Sequence, residues 1–266
     1  MLKDMTLGQY YPVDSRIHNL DPRTKFLISF AYILGIFLLK TPLQYGVLFL
    51  GLLAVVRLSK VPFSFILRGV KPILFILVFA FVMNLFLTPG EILWSFWKLK
   101  ITKEGIKLAL LMVARLFLLI MGSSLLTLTT SPIKLTYGME SIFSPLKRFG
   151  FPVHEMSMMM GIALRFIPTL TAETDKIMKA QMARGADFET GNIFKRARAL
   201  VPILVPLFLS SIQRASELAD AMEARCYHGG EGRTRLHELI YKKNDYLAGI
   251  IFIVFFGIIL WLPKII

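Results

Sequence analysis

Cysteine is almost absent from this chain: Cys226 stands alone among 266 residues, so no intrachain disulfide can staple the fold. Charge is scarce as well. Charged residues make up 18% of the sequence and hydrophobic residues 55%, where a soluble domain carries about 25% charge. That balance describes a membrane protein with a substantial polar part. Acids are scarcest: 17 Asp and Glu stand against 31 Lys and Arg, a formal net charge of +14. Basic residues in a membrane protein collect in cytoplasmic segments, and they favour the lipid bilayer's anionic headgroups or an acidic partner. They do not point to nucleic acid, because they are dispersed among apolar helices and form no stripe.

Signatures of catalysis and cofactor binding are missing too. There is no Walker A sequence and no G-x-G-x-x-G after a strand. "HEMSM" at 154–158 begins like a zinc-protease helix but carries Met158 where the second His is needed. His18, His228 and His237 have no metal-ligand spacing with Cys226. "GGEGR" at 229–233 lacks the lysine and the preceding strand of a phosphate loop. The pattern therefore implies no metal site, no cofactor and no enzyme. The first 25 residues hold seven charged positions and no apolar run, which predicts no cleavable signal peptide.

What is present is a series of apolar runs. Five of them, at 26–39, 43–56, 70–87, 108–128 and 246–263, are candidate membrane helices. The first two are short for a span of about 20 residues and read as a tight hairpin broken by Lys40, Thr41 and Pro42. Segment 57–71 carries Arg57, Lys60, Arg68 and Lys71 with no acid, and 130–245 holds 16 Lys and Arg. The positive-inside rule places both in the cytoplasm with the N-terminus, and five spans then leave the C-terminus outside. The loop 88–107, with Lys98, Lys100, Lys103 and Lys107, argues weakly the other way. The expected fold is all-α: residues 1–129 with four membrane helices, a coupling region of about three helices at 130–245, and a last membrane helix at 246–266.

The region 130–245 is the unusual part. A short helix is expected around 133–147. From Val153 to Arg184 the pattern is helical, with Pro168 inside it. Its first half, "MSMMMGIALRFIPTL", is apolar, and its second half, "TAETDKIMKAQMARGAD", is amphipathic. A polar, basic connection at 186–200 leads to a second helix, 201–226, built the same way. Both end on Ala-Arg and a small residue: Ala183, Arg184 and Gly185, then Ala224, Arg225 and Cys226. Helices apolar at one end and amphipathic at the other belong half in an apolar environment and half at a wet interface. An ordinary helix end also favours Arg in its last turn and Gly just beyond, so one such end would mean little. The duplication, 41 residues apart, is what singles them out.

Several stretches together resemble the transmembrane T component of energy-coupling factor (ECF) transporters. They are "GQYYPVDSRIHNLDPRTK" (8–25), "LTTSPIKLTYGMESIFSPLKRFGFP" (128–152), "ALRFIPTLTAETDKIMKAQMARGADF" (163–188) and "ADAMEARCYHGGEGRTR" (219–235). They cover nearly the whole chain in order. The resemblance implies a non-catalytic membrane subunit of an ABC-type importer of vitamins or metal ions. It joins a substrate-binding membrane S component to two cytoplasmic ABC ATPases, which bind the ATP. It also implies that Ala183, Arg184 and Gly185 meet one ATPase and Ala224, Arg225 and Cys226 the other, with Cys226 standing where the family has Gly. Met156, Met159, Met160 and Ala163 fall on the helix that in this family lies near the S component. Core filling is an equal alternative for these methionines.

Three other readings stand beside this one. A T component dedicated to cobalt or nickel belongs to the same class, although the motif run looks more like the shared, vitamin-type branch. A polytopic membrane enzyme needs a convergent polar constellation within the membrane, and none is visible. A stand-alone permease needs paired intramembrane ionisable residues, whereas Arg115 has no acid in its own or neighbouring spans. Arg115 and Arg165 both lie in apolar runs, where a structural pair or carbonyl contact weighs at least as much as a transport role, and neither is assigned to a substrate path. Asp21, Pro22 and Arg23 read as the N-cap and first turn of the first helix.

Overall fold

The computed structural model describes residues 10–96, 99–188, 192–229 and 239–262. The chain divides into two compact units. One is formed by Gly8–Ile142 with Leu239–Ile266, and the other holds Phe143–Glu238. The first contains α1 (Pro22–Ile36), α2 (Pro42–Ser59), α3 (Phe63–Val70), α4 (Leu74–Leu87), a hairpin of β1 (Ile92–Phe96) and β2 (Leu99–Thr102), α5 (Lys103–Thr129), α6 (Pro132–Phe143) and α10 (Lys243–Trp261). The second contains α7 (Val153–Ala183), α8 (Ile193–Ala199) and α9 (Val201–Glu223).

The first unit is closed at one end by short-range polar chemistry. Asp21 caps α1, its side chain accepting from the Arg23 N–H, with Pro22 at N1. The backbone N–H of Asp21 in turn donates to Asp245 in the first turn of α10, at 2.7 Å. Arg23 bonds Asp21 and the Leu239 carbonyl and lies over the Tyr241 ring. The strand-like approach to α1 is tied down as well: Tyr11 N–H donates to the Leu128 carbonyl, and buried Lys25 Nζ donates to the His18 and Thr129 carbonyls. His18 donates from Nε2 to the Tyr11 carbonyl, which leaves Nδ1 to accept from the Ser15 hydroxyl. Burial, more than any neighbouring charge, pulls this imidazole below its ordinary range.

These contacts set the directions of the helices. Lys25 at the start of α1 meets Thr129 at the end of α5, and Tyr32 donates to the Leu118 carbonyl, so α1 and α5 are antiparallel. A Cβ on Gly122 would overlap the Tyr32 ring, so this close approach requires glycine. Asp21 meets Asp245 and Gln44 meets Ile259, so α10 runs with α1. The α3–α4 segment runs antiparallel to α5, with Gly69 beside Ser124 and Gly105 beside Leu85. The core of Ile36, Leu39, Leu48, Ile66, Leu118, Met121 and Ile259 lies among these helices. The segment 57–71 and the exit toward 130–245 consequently share one end of the bundle with the start of α1. The 88–102 hairpin and Trp261 lie at the other end.

Several polar side chains inside the bundle are satisfied by backbone groups or by each other. Arg115 donates from Nε to the Tyr45 hydroxyl at 2.9 Å and from Nη2 toward the Leu39 carbonyl at 3.4 Å. Gln44, which is fully buried, accepts from the Lys40 and Thr41 N–H groups and donates to the Ile259 carbonyl. Arg115 therefore braces the α1–α2 turn.

The spans differ from the sequence expectation in one respect. Five helical segments are long and apolar enough to cross a membrane: Pro42–Ser59, Phe63–Leu87, Lys103–Thr129, Phe194–Glu223 and Lys243–Trp261. Four match expected spans. The stretch 26–39 does not, because α1 has 15 residues, about 22 Å at 1.5 Å per residue, against a hydrocarbon thickness near 30 Å. The chain leaves α1 at Phe37 and turns into α2, which starts with Thr41 as N-cap and Pro42 at its first position. Phe194–Glu223 qualifies instead through the apolar first half of α9. The 88–107 loop contains the β1–β2 hairpin, an addition to an otherwise all-α fold. The helix expected at 133–147 is α6 followed by a 3-10 turn at Ser144–Phe149.

Positive charge at the end holding Lys60 predicts that this end faces the cytoplasm. Ser59 is buried but Lys60 is exposed. Lys60→Cys in a Cys226→Ser background should react with an impermeant thiol reagent only after cells are opened. Reaction in intact cells would reverse the orientation.

Candidate functional site

The second unit is organised around the crossing of α7 and α9. Glu173 accepts from the Ser210 hydroxyl at 2.6 Å and from the Arg214 guanidinium at 2.9 Å. Nearby, Ile162, Phe166 and Leu170 of α7 line a groove of about 280 Å³ with Ala215, Leu218, Ala219 and Met222 of α9. From the Glu173 bridge the groove runs toward lower numbers on α7 and higher numbers on α9. The two helices therefore run in opposing senses, and their C-terminal ends lie on opposite sides of the crossing. Arg184 is eleven residues beyond Glu173, and Arg225 eleven beyond Arg214. Each tip thus stands about 16 Å of helix away from the bridge. The Ser210 hydroxyl first, and Arg214 second, hold Glu173 below the usual carboxylate range. A lowered value means the bridge is formed at neutral pH and is lost as pH falls through that value.

The two ends are built alike. After α7, the Ala186 N–H donates to the Gln181 carbonyl at 3.0 Å and the Gly185 N–H to the Met182 carbonyl at 2.9 Å. After α9, the Tyr227 N–H donates to the Met222 carbonyl at 3.1 Å and the Cys226 N–H to the Glu223 carbonyl at 2.9 Å. This pair of bonds is the Schellman motif, whose C′ residue is left-handed. Gly185 has φ +87° and Cys226 has φ +57°, so Cys226 takes the backbone conformation of the glycine it replaces. Arg184 and Arg225 each directly precede the left-handed residue that closes the turn. Ala183, Arg184, Gly185, Ala224, Arg225 and Cys226 are all exposed. The structure groups each triplet at its own tip and keeps the two triplets apart.

Met156, Met159 and Met160 are 56%, 57% and 46% exposed, and Ala163 is exposed as well. Their spacing of three, four and seven places them on one face of α7. On the α7 side of the crossing this face accompanies the α9 tip. Arg165 is exposed too, which differs from its setting in an apolar run: the run is only half covered by α9. Gly230, His237 and most of "GGEGR" lie outside the described residues, as do Lys98 and residues 230–235 of the last motif. Sequence reasoning missed the Glu173–Ser210–Arg214 bridge, whose partners are 37 and 41 residues apart. No local pattern marks it. It also missed α8, too short to show a period. The left-handed Cys226 could have been found from its offset after Arg225, the same as that of Gly185 after Arg184.

A family model described as CbiQ, cobalt transport protein, matches residues 14–236. The chain belongs to the CbiQ family. It is 54% identical over 262 residues to a protein of Acidaminococcus fermentans, covering 98% of each chain. It is 52% identical over 255 residues to one of Ruminiclostridium cellulolyticum, covering 96% of each. A Bacillus subtilis relative is 47% identical over 246 residues, covering 92% of this chain and 93% of that one. All three are named energy-coupling factor transporter transmembrane protein EcfT. This CbiQ-family chain is accordingly a multi-pass membrane protein and the transmembrane component of an ECF transporter, a non-catalytic role.

The left-handed C′ position separates the two ends energetically. A side chain there costs about 1 kcal/mol relative to glycine. Cys226→Gly should therefore stabilise the α9 end by about that amount, and Gly185→Ala, at φ +87°, should destabilise the α7 end by about 1 kcal/mol. Thermal unfolding of the two variants in detergent should shift in opposite directions. Shifts of the same sign would mean that Cys226 is not held in the left-handed conformation.

Proposed function

We propose that the chain is the mechanical link of an ECF importer. Its α7 and α9 tips dock in two cytoplasmic ABC ATPases, and the methionine face of α7 holds a substrate-binding S component for a vitamin or other micronutrient. The observation that carries this reading is the pair of equivalent tips. Ala183, Arg184 and Gly185 offer one ATPase an exposed guanidinium on a small-residue platform, and Ala224, Arg225 and Cys226 offer the same to another. A guanidinium is a rigid five-donor fork suited to carboxylates and carbonyls in a protein groove, and small neighbours let the groove come close. Tips on opposite sides of one crossing suit two separate docking grooves. ATP binding and hydrolysis then move the ATPases, the tips move with them, and the crossing passes that motion to the S component.

The methionine face has the matching chemistry. Flexible thioethers adapt to differing partners, and three of them project unpacked from α7. The family description, cobalt transport protein, favours a second reading in which the cargo is a metal ion. The S component that copurifies separates the two.

Met159→Lys should release the S component while the ATPases stay bound, because burying an unpaired charge in a dry contact costs several kcal/mol. Retention of the S component with normal uptake would remove this face from the interface.

A charge-assisted hydrogen bond in a docking groove is worth roughly 1.5–3 kcal/mol. Arg184→Ala or Arg225→Ala should each weaken ATPase docking about ten- to a hundredfold and reduce uptake. Two linked contacts act at high effective concentration, so the double variant should shed the ATPases and abolish uptake. If the arginines only close helix ends, each substitution costs about 0.3–1 kcal/mol of helix stability and the complex stays whole. Pull-down of both ATPases with the double variant, alongside wild-type uptake, would reduce the arginines to caps.

A further inference from the structure

The segment between the two long helices carries a feature that ATPase docking and S-component binding do not use. In α8, Lys195, Arg196 and Arg198 are all exposed, and Phe194 beside them is 85% exposed. From 192 to 216 the sequence has four basic residues and no acid. Among the described residues none of the three α8 bases is ion-paired. The helix then turns at Leu200 into α9, where Val201, Leu204, Val205, Phe208, Leu209 and Ile212 form an exposed stripe at helical spacing. The opposite face, with Ile203 buried and Ser210 bonded to Glu173, packs toward α7. Phe194–Glu223 as a whole has the length and composition of a membrane span.

We propose that α8 and the turn into α9 form a binding surface for anionic phospholipid, with Lys195, Arg196 and Arg198 at the level of the phosphates and Phe194 inserted among the acyl chains. Charge complementarity is the first argument. An unbroken positive run in a multi-pass membrane protein finds its nearest counter-charge on the membrane surface itself, and each Lys or Arg near an anionic leaflet favours it by about fivefold. Three together favour anionic over neutral lipid by about a hundredfold. The second argument is the apolar neighbourhood. An acidic protein groove would match the charges and leave Phe194 and the α9 stripe in water, whereas a bilayer takes both: long basic side chains reach to headgroups while aromatic and aliphatic groups enter the hydrocarbon boundary. This surface is distinct from the two tips and from the methionine face, and it does not depend on the roles proposed for them.

The test uses the full chain in lipid nanodiscs, with a fluorophore on Ala197→Cys in a Cys226→Ser background. Ala197 is exposed among the three bases. Quenching is compared between spin-labelled phosphatidylglycerol and spin-labelled phosphatidylcholine at equal mole fraction in otherwise identical mixed discs. Phosphatidylglycerol should quench preferentially, the preference should fall as salt is raised, and K195Q/R196Q/R198Q should equalise the two lipids. The single variant K195Q, the least disturbing of the set, should reduce the preference about fivefold. Equal quenching by both lipids in the unsubstituted chain would overturn the proposal, as would a preference that survives the triple substitution. Shielding of the fluorophore that arises only on adding ATPase, whatever the lipid, would overturn it in favour of an acidic protein face.

Discussion

The Glu173 carboxylate ties together the two long helices of the second unit. It accepts from Ser210 and Arg214 across the α7–α9 crossing, and no other polar contact between these two helices is as short among the described bonds. Two long helices with apolar flanks can slide along one another at little cost, because ridges and grooves repeat every turn. A carboxylate shared by a hydroxyl and a guanidinium at fixed positions removes that freedom. It selects one register and with it the side of the crossing on which each arginine tip stands. The groove of Ile162, Phe166 and Leu170 against Leu218 and Met222 supplies apolar contact, but only the bridge gives it an address.

The bundle solves a different problem by a related device. Within a bilayer buried polar groups need partners in the protein, and several here have found a backbone carbonyl or a phenol. Arg115 holds Tyr45 and the Leu39 carbonyl, Gln44 spans from the α1–α2 turn to Ile259, and Tyr32 reaches Leu118. All three ties join elements distant in sequence. At the opposite end Asp21, Arg23 and Asp245 close the ring between the first and last helices. The polar ties and the close approach of glycines to aromatic rings, Gly122 to Tyr32 and Gly35 to Phe256, together specify which helix neighbours which.

What could be read from the sequence follows from how local each signal is. Apolar runs are local, so four spans were legible, and so was the twin build of α7 and α9. The cap of Asp21 and Pro22 is local too. The run at 26–39 is too short to stand out by length, yet the contacts of α1 with Thr129 at one end and of the α1–α2 turn with Ile259 at the other carry it across the bundle. The α7–α9 crossing and the Arg115 brace depend on partners 37 to 76 residues away, beyond any periodicity. The β1–β2 hairpin and α8 are too short to impose a pattern. At the candidate site the residues were legible because they are duplicated. Their separation on opposite sides of the crossing was not, because it is set by the long-range bridge.

Rigidity at the tips follows from the same backbone bonds that end the helices. A frayed helix end would absorb a push as local unwinding, since its last four carbonyls lack partners. Here the Schellman bonds from Gly185 and Ala186, and from Cys226 and Tyr227, satisfy carbonyls of the final turn at both tips. An arginine just before the left-handed residue is therefore anchored to a closed turn on a helix that is itself pinned at Glu173. Force on the guanidinium is carried along about 16 Å of helix to the bridge before any bond has to open. The crossing itself joins the two helices by one carboxylate and an apolar groove. Under the proposed docking, two stiff arms about one crossing would convert movement at the tips into a change of angle between the apolar halves.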